Sequence, residues 1–192
     1  MTLKSDLRTR FRTLRKTFSH KQREIAGRDI TEQILNWKPI QTSKTVALFA
    51  SYGDEIPTAT LIERLKTSGR QVLLPRVERS GKEMVFCSFS HLLSLEPDRF
   101  GIPAPDGEVW NEKLDIILTP GLVFGINGGR VGYGGGFYDR YIAKLSPLPP
   151  EIICGLGFDE QVLAEVPLER HDLTLTHIAT PSQIVRCRPV SG

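Results

Sequence analysis

Four of the five residues from 132 to 136 are glycine, and they run directly into Phe137, Tyr138 and Asp139. Glycines at 132, 134, 135 and 136 let backbone N–H groups converge on a guest without interference from Cβ atoms, and a helix opening at Phe137 adds the positive end of its dipole. The segment reads as an anion-binding loop, with phosphate the obvious guest. It matches neither common nucleotide fingerprint. No G-x-x-x-x-G-K-[ST] occurs, and Phe137 stands where G-x-G-x-x-G needs its last glycine. A glycine cluster alone can be a plain mobile turn; the preceding strand, the Arg130 flank and the helix-opening Phe-Tyr-Asp favour a nucleotide site.

Other residues have a bland reading beside a chemical one. Asp139, in the first helical turn, can simply compensate the dipole, but beside phosphate it can also serve Mg²⁺, which favours one or two carboxylates with phosphate and water completing its octahedron. Asp172, after His171, is a second candidate carboxylate; His171 itself receives no role. Glu55, in Tyr-Gly-Asp-Glu-Ile-Pro-Thr, is either an acid preceding a helix or a site residue at a strand's carboxyl end.

Residues 1–28 hold nine Lys or Arg against Asp6 and Glu24, about +7 on a chain whose net charge is +3. The basic stretch can be a solvated face, a nucleic-acid arm, a set of phosphate ligands in a cleft, or an Arg-rich transit peptide. Aromatic residues for base stacking are few, because Phe11 and Phe18 fall on the apolar stripe.

The 192 residues, 40% hydrophobic and 24% charged, are ordinary for a folded protein, and one domain over residues 1–192 is expected. There is no run of 18 apolar residues and no apolar leader, so the expectation is a cytoplasmic chain without membrane partners. Cys87, Cys154 and Cys187 show no C-x-x-C spacing and read as free thiols. Without H-E-x-x-H or G-x-S-x-G, zincin and α/β-hydrolase chemistry lose their signatures.

The elements that must carry these residues follow from periodicity. Leu3, Leu7, Phe11, Leu14 and Phe18 share an arc of about 80°, and Lys4, Arg8, Arg12 and Arg15 occupy an adjoining arc of about 80°. An amphipathic helix over 2–19 is expected, continuing or restarting over 21–37, with its cations at the rim of a cleft. A strand at 45–50, a helix at 57–68 and a strand at 71–74 form a strand, helix, strand unit favouring a parallel pair with a right-handed crossover. Strands are expected near 83–89, 114–119, 152–156 and 175–180, helices near 136–145 and 160–165, and a loop over 96–111. Pro147, Pro149 and Pro150 mark a further loop. The expected architecture is α/β: a three-layer α/β/α domain with a mostly parallel, Rossmann-like sheet and a long basic N-terminal helix.

Lys4 to Arg8, Ser-Tyr-Gly-Asp-Glu-Ile-Pro-Thr, Gly-Ile-Pro-Ala-Pro, the block from Pro120 through Gly-Gly-Gly-Phe-Tyr-Asp-Arg-Tyr, and Val-Pro-Leu-Glu-Arg-His-Asp-Leu resemble, in order and over nearly the whole chain, the 5-formyltetrahydrofolate cyclo-ligases. The resemblance implies an ATP- and Mg²⁺-dependent closure of 5-formyltetrahydrofolate to 5,10-methenyltetrahydrofolate with release of ADP and phosphate. It also implies roles by position. Lys4, Arg8 and Arg130 would bind ATP, with the loop Val131, Gly132, Tyr133, Gly134, Gly135, Gly136, Phe137 and Tyr138. Ala50 and Glu55 would line the folate pocket with Tyr133, Gly134, Gly135, Gly136 and Phe137. Lys4, Arg8 and Glu55 would carry the catalysis, and Asp139 and Asp172 would hold Mg²⁺. A monomer without nucleic-acid partners is expected. The chain departs from the family at Gly125, where Asp is usual, and at Phe137, where Tyr is frequent. Two other readings stand beside this one: a phosphoryl-transfer enzyme acting on another small anion, and a nucleic-acid-binding module built on the basic helix.

Overall fold

The computed structural model describes residues 3–145 and 149–188. Thr2, expected to start the first helix, and Pro147, expected in a loop, lie outside them.

Helix α1 (Lys4–Lys16) carries Asp6 in its first turn and Arg15 and Lys16 in its last, each opposing the adjacent end of the dipole. The chain then restarts. Ser19 and Gln22 form a capping box that opens α2 (His20–Asn36), and Pro39 sits in the first turn of the short α3 (Lys38–Thr42). Next come β1 (Thr45–Ala47), α4 (Ala59–Thr67), β2 (Gln71–Val77) and β3 (Met84–Cys87). Two-residue strands β4 (Glu96–Pro97) and β5 (Pro103–Ala104) make a hairpin, followed by β6 (Ile116–Thr119), β7 (Val123–Gly125), β8 (Arg130–Val131) and α5 (Phe137–Lys144). The chain finishes with β9 (Ile152–Leu156), β10 (Val162–Leu163), β11 (His177–Ala179) and β12 (Ile184–Arg186).

Seven strands form the main sheet in the order β12-β11-β9-β6-β1-β2-β3. The five central strands are parallel, and the edge strands β12 and β3 are antiparallel to their neighbours. The strand period of two assigns alternate residues to opposite faces. Val46, Val72, Ile116, Leu118 and Cys154 pack under α2, α3 and α4, with Ile30, Ile34, Ile40, Leu61 and Leu65. Ala47, Leu73, Ile117 and Ile153 face the other way, toward Tyr138, Tyr141 and Ile142 of α5. Both faces are covered, as a parallel sheet requires, and the expected three layers are present. A smaller sheet, β10-β7-β8, sits apart and packs against α1 through Leu7, Phe11, Leu122, Val123, Val131 and Val166.

Four local expectations are corrected. Residues 96–111 are not all loop, because two-residue pairings at β4 and β5 leave too little periodicity to read. The helix expected at 160–165 is one 3₁₀ turn (Asp159–Gln161) followed by β10, whose parallel pairing to β7 outweighs local helix preference. Leu3 was expected on the buried stripe of α1 but is 66% exposed, because as the N-cap it precedes the first turn and lines the open cavity instead of joining Leu7 and Phe11 on the small sheet. Arg15 was expected at a rim and is buried, its two terminal guanidinium nitrogens engaged by the distant partners described below while Nε has no partner among the described residues.

Candidate active site

Connections from β1 lead through α4 to β2 on one side, whereas the chain returns to place β6 on the other side of β1 and then proceeds to β9. Loops leaving β1 and β6 therefore diverge at a topological switch point, where open α/β sheets leave a crevice beyond the strand ends. Here that crevice is a cavity of about 1270 Å³. Pockets for a single small ligand ordinarily measure about 300–1000 Å³, so this cavity exceeds what one such ligand needs.

Every candidate residue named from the sequence lines it: Lys4, Arg8, Ala50, Glu55, the run from Arg130 to Asp139, and Asp172. Three segments far apart in sequence supply them. Helix α1 forms one wall because Leu7 and Phe11 anchor it on the small sheet, leaving Lys4 and Arg8 on the cavity side. Arg8 Nε donates to the Gly132 carbonyl at 3.1 Å, so the helix is also tied to the glycine loop. Arg130 and Val131 alternate along β8: Val131 packs toward α1, while Arg130 turns to the opposite face, its guanidinium 5.3 Å from the Tyr138 ring centroid.

The loop itself needs glycine at two points. Gly134 has φ 104° and Gly136 has φ 63°, both in left-handed territory, and Gly136 is the residue from which α5 starts. Arg130 Nε and the Tyr138 hydroxyl are buried without a hydrogen-bond partner among the described residues. Unsatisfied polar atoms beside a cavity are what a polar ligand would satisfy.

Asp139 and Asp172, the two carboxylates expected to hold metal, both line the cavity. Asp139 accepts the Leu173 N–H at 2.9 Å, which places the first turn of α5 against the residue following Asp172. Asp139 also accepts from Arg130, at 3.4 Å. Asp172 accepts from Lys4 at 2.5 Å and from the Glu169 N–H at 2.6 Å, and Lys4 lies 3.3 Å from Glu169. Glu169, His171 and Asp172 bring their ligand atoms within 4.8 Å of one another, with the Lys4 ammonium held by both carboxylates.

Glu55 lies on the other side of the glycine loop. Its carboxyl accepts the Tyr133 hydroxyl at 2.6 Å and the Tyr52 N–H at 3.0 Å. Burial pushes its pKa above the ordinary carboxylate range, against the lowering effect of those hydrogen bonds and of Arg15. Around it the cavity becomes apolar, with Tyr52, Met84, Phe100, Ile102 and Phe137 on its walls. Tyr52, Phe100 and Ile102 are among the exposed large apolar side chains, and the hairpin of β4 and β5 roofs this half. Apolar surface left open in a concavity marks a ligand site. Sequence reading missed Tyr52, Phe100 and Arg15 here; for Phe100 the available signal was a lone aromatic ring between Pro97 and Pro103.

At Gly125, an added Cβ would lie 2.1 Å from Asn127 Oδ1 and 2.8 Å from the Val166 nitrogen. Asn127 fills that space and bonds the Gly129 N–H at 3.1 Å and both backbone groups of Val166, at 3.0 and 3.2 Å. The turn between β7 and β8 is thus held by residue 127, and the departure does not reach the glycine loop.

A model of the 5-formyltetrahydrofolate cyclo-ligase family matches residues 1–181. This chain belongs to that family. A cyclo-ligase of Haemophilus influenzae is 31% identical over 180 residues, with 91% of this chain and 96% of the relative covered. The cyclo-ligase of Escherichia coli K12 is 29% identical over 178 residues, covering 90% of this chain and 97% of the relative. Among solved structures, 5,10-methenyltetrahydrofolate synthetase of Aquifex aeolicus superposes with a TM-score of 0.83 at 26% identity, covering 100% of this chain and 96% of the other. The cyclo-ligase fold therefore extends through α1, the switch-point loops and the tail that carries Asp172.

Proposed function

We propose that this chain is a 5-formyltetrahydrofolate cyclo-ligase, closing its substrate to 5,10-methenyltetrahydrofolate at the expense of ATP. The observation that carries the reading is a single cavity with two unlike halves meeting at one loop. Lys4, Arg8, Arg130 and the backbone of residues 131–138 form a cationic half suited to phosphates. Tyr52, Phe100, Phe137 and Glu55 form an aromatic half with one carboxyl, suited to a flat, hydrogen-bonding ring.

The formyl oxygen of the substrate attacks the γ-phosphorus of ATP and ADP leaves. The substrate's N10 then closes on the activated carbon, loses its proton, and phosphate departs. An amide oxygen has no proton to remove, so the first step needs alignment and charge neutralisation rather than a general base. Lys4 and Arg8 meet the phosphate charge, and Arg130 steadies the start of the loop. One such donor can be worth roughly 3 kcal/mol. Glu55 and Ala50 orient the folate, with Tyr133, Gly134, Gly135, Gly136 and Phe137 beneath it.

Mg²⁺ fits the acidic corner. Asp172 Oδ1 has no hydrogen bond among the described residues, and Asp139 Oδ2 has only the Arg130 contact at 3.5 Å. Asp139 and Asp172 would hold the ion, which supplies charge neutralisation and phosphate alignment when bound.

Residues 1–192 are taken as one domain working as a cytoplasmic monomer. No helix among the described residues is long and apolar enough to cross a membrane.

The test combines purified protein, 5-formyltetrahydrofolate, ATP and Mg²⁺ and follows the near-UV band of the methenyl product together with phosphate release. Absence of both from a demonstrably folded sample overturns the proposal. Asp139→Asn is expected to cut Mg²⁺-dependent turnover by about 10- to 100-fold, the scale of losing one charged interaction. Unchanged turnover would remove Asp139 from the metal site.

A further inference from the structure

Arg15 has no part in the assignments above, yet it is the least exposed cation of α1, at 2%. Its guanidinium pairs with Asp54 in the loop after β1, donates to the Gly121 carbonyl at 3.4 Å in the segment after β6, and lies 5.4 Å from the ring centroid of Tyr133. It thus touches both loops of the switch point and the glycine loop at once. Stability does not explain such a residue. Two ions taken from water gain little over apolar side chains of similar size, and Leu7 and Phe11 already anchor the helix.

What the guanidinium does accomplish is geometric. Tyr133 is 43% exposed and sits among glycines, so its own loop does little to fix its orientation. Two guanidiniums lie against the ring, Arg15 at 5.4 Å and the exposed Arg12 at 5.8 Å; the buried, ion-paired Arg15 is the one held firmly enough to supply that constraint, and the ring's hydroxyl in turn holds Glu55 at 2.6 Å. We infer that Arg15, paired with Asp54, is a positioning residue for the folate half of the cavity, acting through Tyr133 to hold the Glu55 carboxyl in its receiving orientation. This rests on the proposed function.

The groups facing Glu55 are Arg15 from α1, the Tyr133 hydroxyl from the glycine loop, and Asp54 and the Tyr52 N–H from its own loop. Arg15 favours the ionised carboxylate and Asp54 opposes it. Removing the guanidinium therefore moves the Glu55 titration upward, a change that packing alone does not produce.

Arg15→Met leaves Asp54 without its cation and can fail to fold, so the decisive variant is Arg15→Met/Asp54→Asn, which removes both charges together. Binding of 5-formyltetrahydrofolate and, separately, of ATP with Mg²⁺ is measured by calorimetry on the purified full chain, which requires no turnover. The Kd for 5-formyltetrahydrofolate is expected to rise about tenfold, the loss of one well-placed hydrogen bond to a charged group. The ATP value is expected to stay within about twofold, since the cationic half is untouched. With Tyr133→Phe already in place, the same pair of substitutions should change folate binding less than about twofold, because the hydroxyl it positions is gone. In Arg15→Met, where it folds, a pH series of folate affinity should show the Glu55 titration displaced upward from the parent's; in the double variant, which also removes Asp54, the two opposing effects offset each other.

Unchanged folate affinity in the folded double variant overturns the inference. So does an equal loss of ATP affinity, or full additivity with Tyr133→Phe. If the parent protein itself binds no 5-formyltetrahydrofolate, both this inference and the proposed function fall; if it binds and the variant matches it, only this inference falls.

Discussion

The Lys4 ammonium lies 2.5 Å from Asp172 and 3.3 Å from Glu169, so a nucleotide phosphate arriving there must compete with two carboxylates. A cation on Asp172 and a phosphate on Lys4 would replace one pair by two, which ties the two ligands' binding together. Lys4→Ala is accordingly expected to raise the KM for ATP about tenfold, checked by steady-state kinetics at saturating folate. Wild-type ATP kinetics would return Lys4 to a purely structural ion pair. Glu55 gives a second prediction. Its folded pKa lies above the ordinary carboxylate value, so between those two values the native state binds more protons than the unfolded state. Stability therefore falls as pH rises through that interval and levels off above it. Glu55→Gln removes this dependence, and its Tm advantage over the parent should be larger at pH 8 than at pH 4 by thermal denaturation. At this scale the sequence was informative wherever a motif kept its members together, as in residues 130–139. It was uninformative about Arg15. On the helical wheel Arg15 falls between Lys4 and Arg8, at about 60° against 40° and 80°, and only Asp54 and Gly121, distant in sequence, decide that it goes inside.

Among the elements, α5 depends most visibly on one backbone angle. Gly136 starts it at φ 63°, and the nearest atom to an added Cβ is the flexible Arg140 guanidinium at 2.8 Å. Gly136→Ala should therefore cost mainly backbone strain, about 1–2 kcal/mol, or roughly 2–8 °C in Tm, with a loss of ATP affinity because the loop amides shift. A Tm drop with unchanged ATP binding would show that the loop does not meet the nucleotide. The strands β1, β2, β6 and β9 were legible because runs such as Thr-Val-Ala-Leu and Asp-Ile-Ile-Leu are buried on both faces. The small sheet was not. Between β7 and β8 the chain reads Ile-Asn-Gly-Gly, which signals a turn, and strands of two or three residues are too short to show a period. The consequence for the site is specific: the surface on which α1 docks could not be foreseen, although the helix could.

Taken as a whole, the molecule turns much of its basic helix inward. Lys4, Arg8 and Arg15 are engaged by Asp172, Gly132 and Asp54, leaving Arg10, Arg12 and Lys16 as the exposed cations of α1. Steep salt-dependent oligonucleotide affinity is not expected, and titration with single- and double-stranded oligonucleotides at 50 and 200 mM salt checks it. Strong binding that survives loss of the glycine loop would revive the nucleic-acid reading. The contact between Lys4 and Asp172 joins residues 168 positions apart, and Arg8 meets Gly132 across 124. On the ribosome, at about 5–20 residues per second, α1 would therefore emerge on the order of ten seconds or more before its last partner is made. During that interval its apolar stripe and its cations are both without their final neighbours. The nascent chain passes through a stage in which its first helix is a sticky, positively charged segment, and the same contact that completes the cavity also ends that exposure.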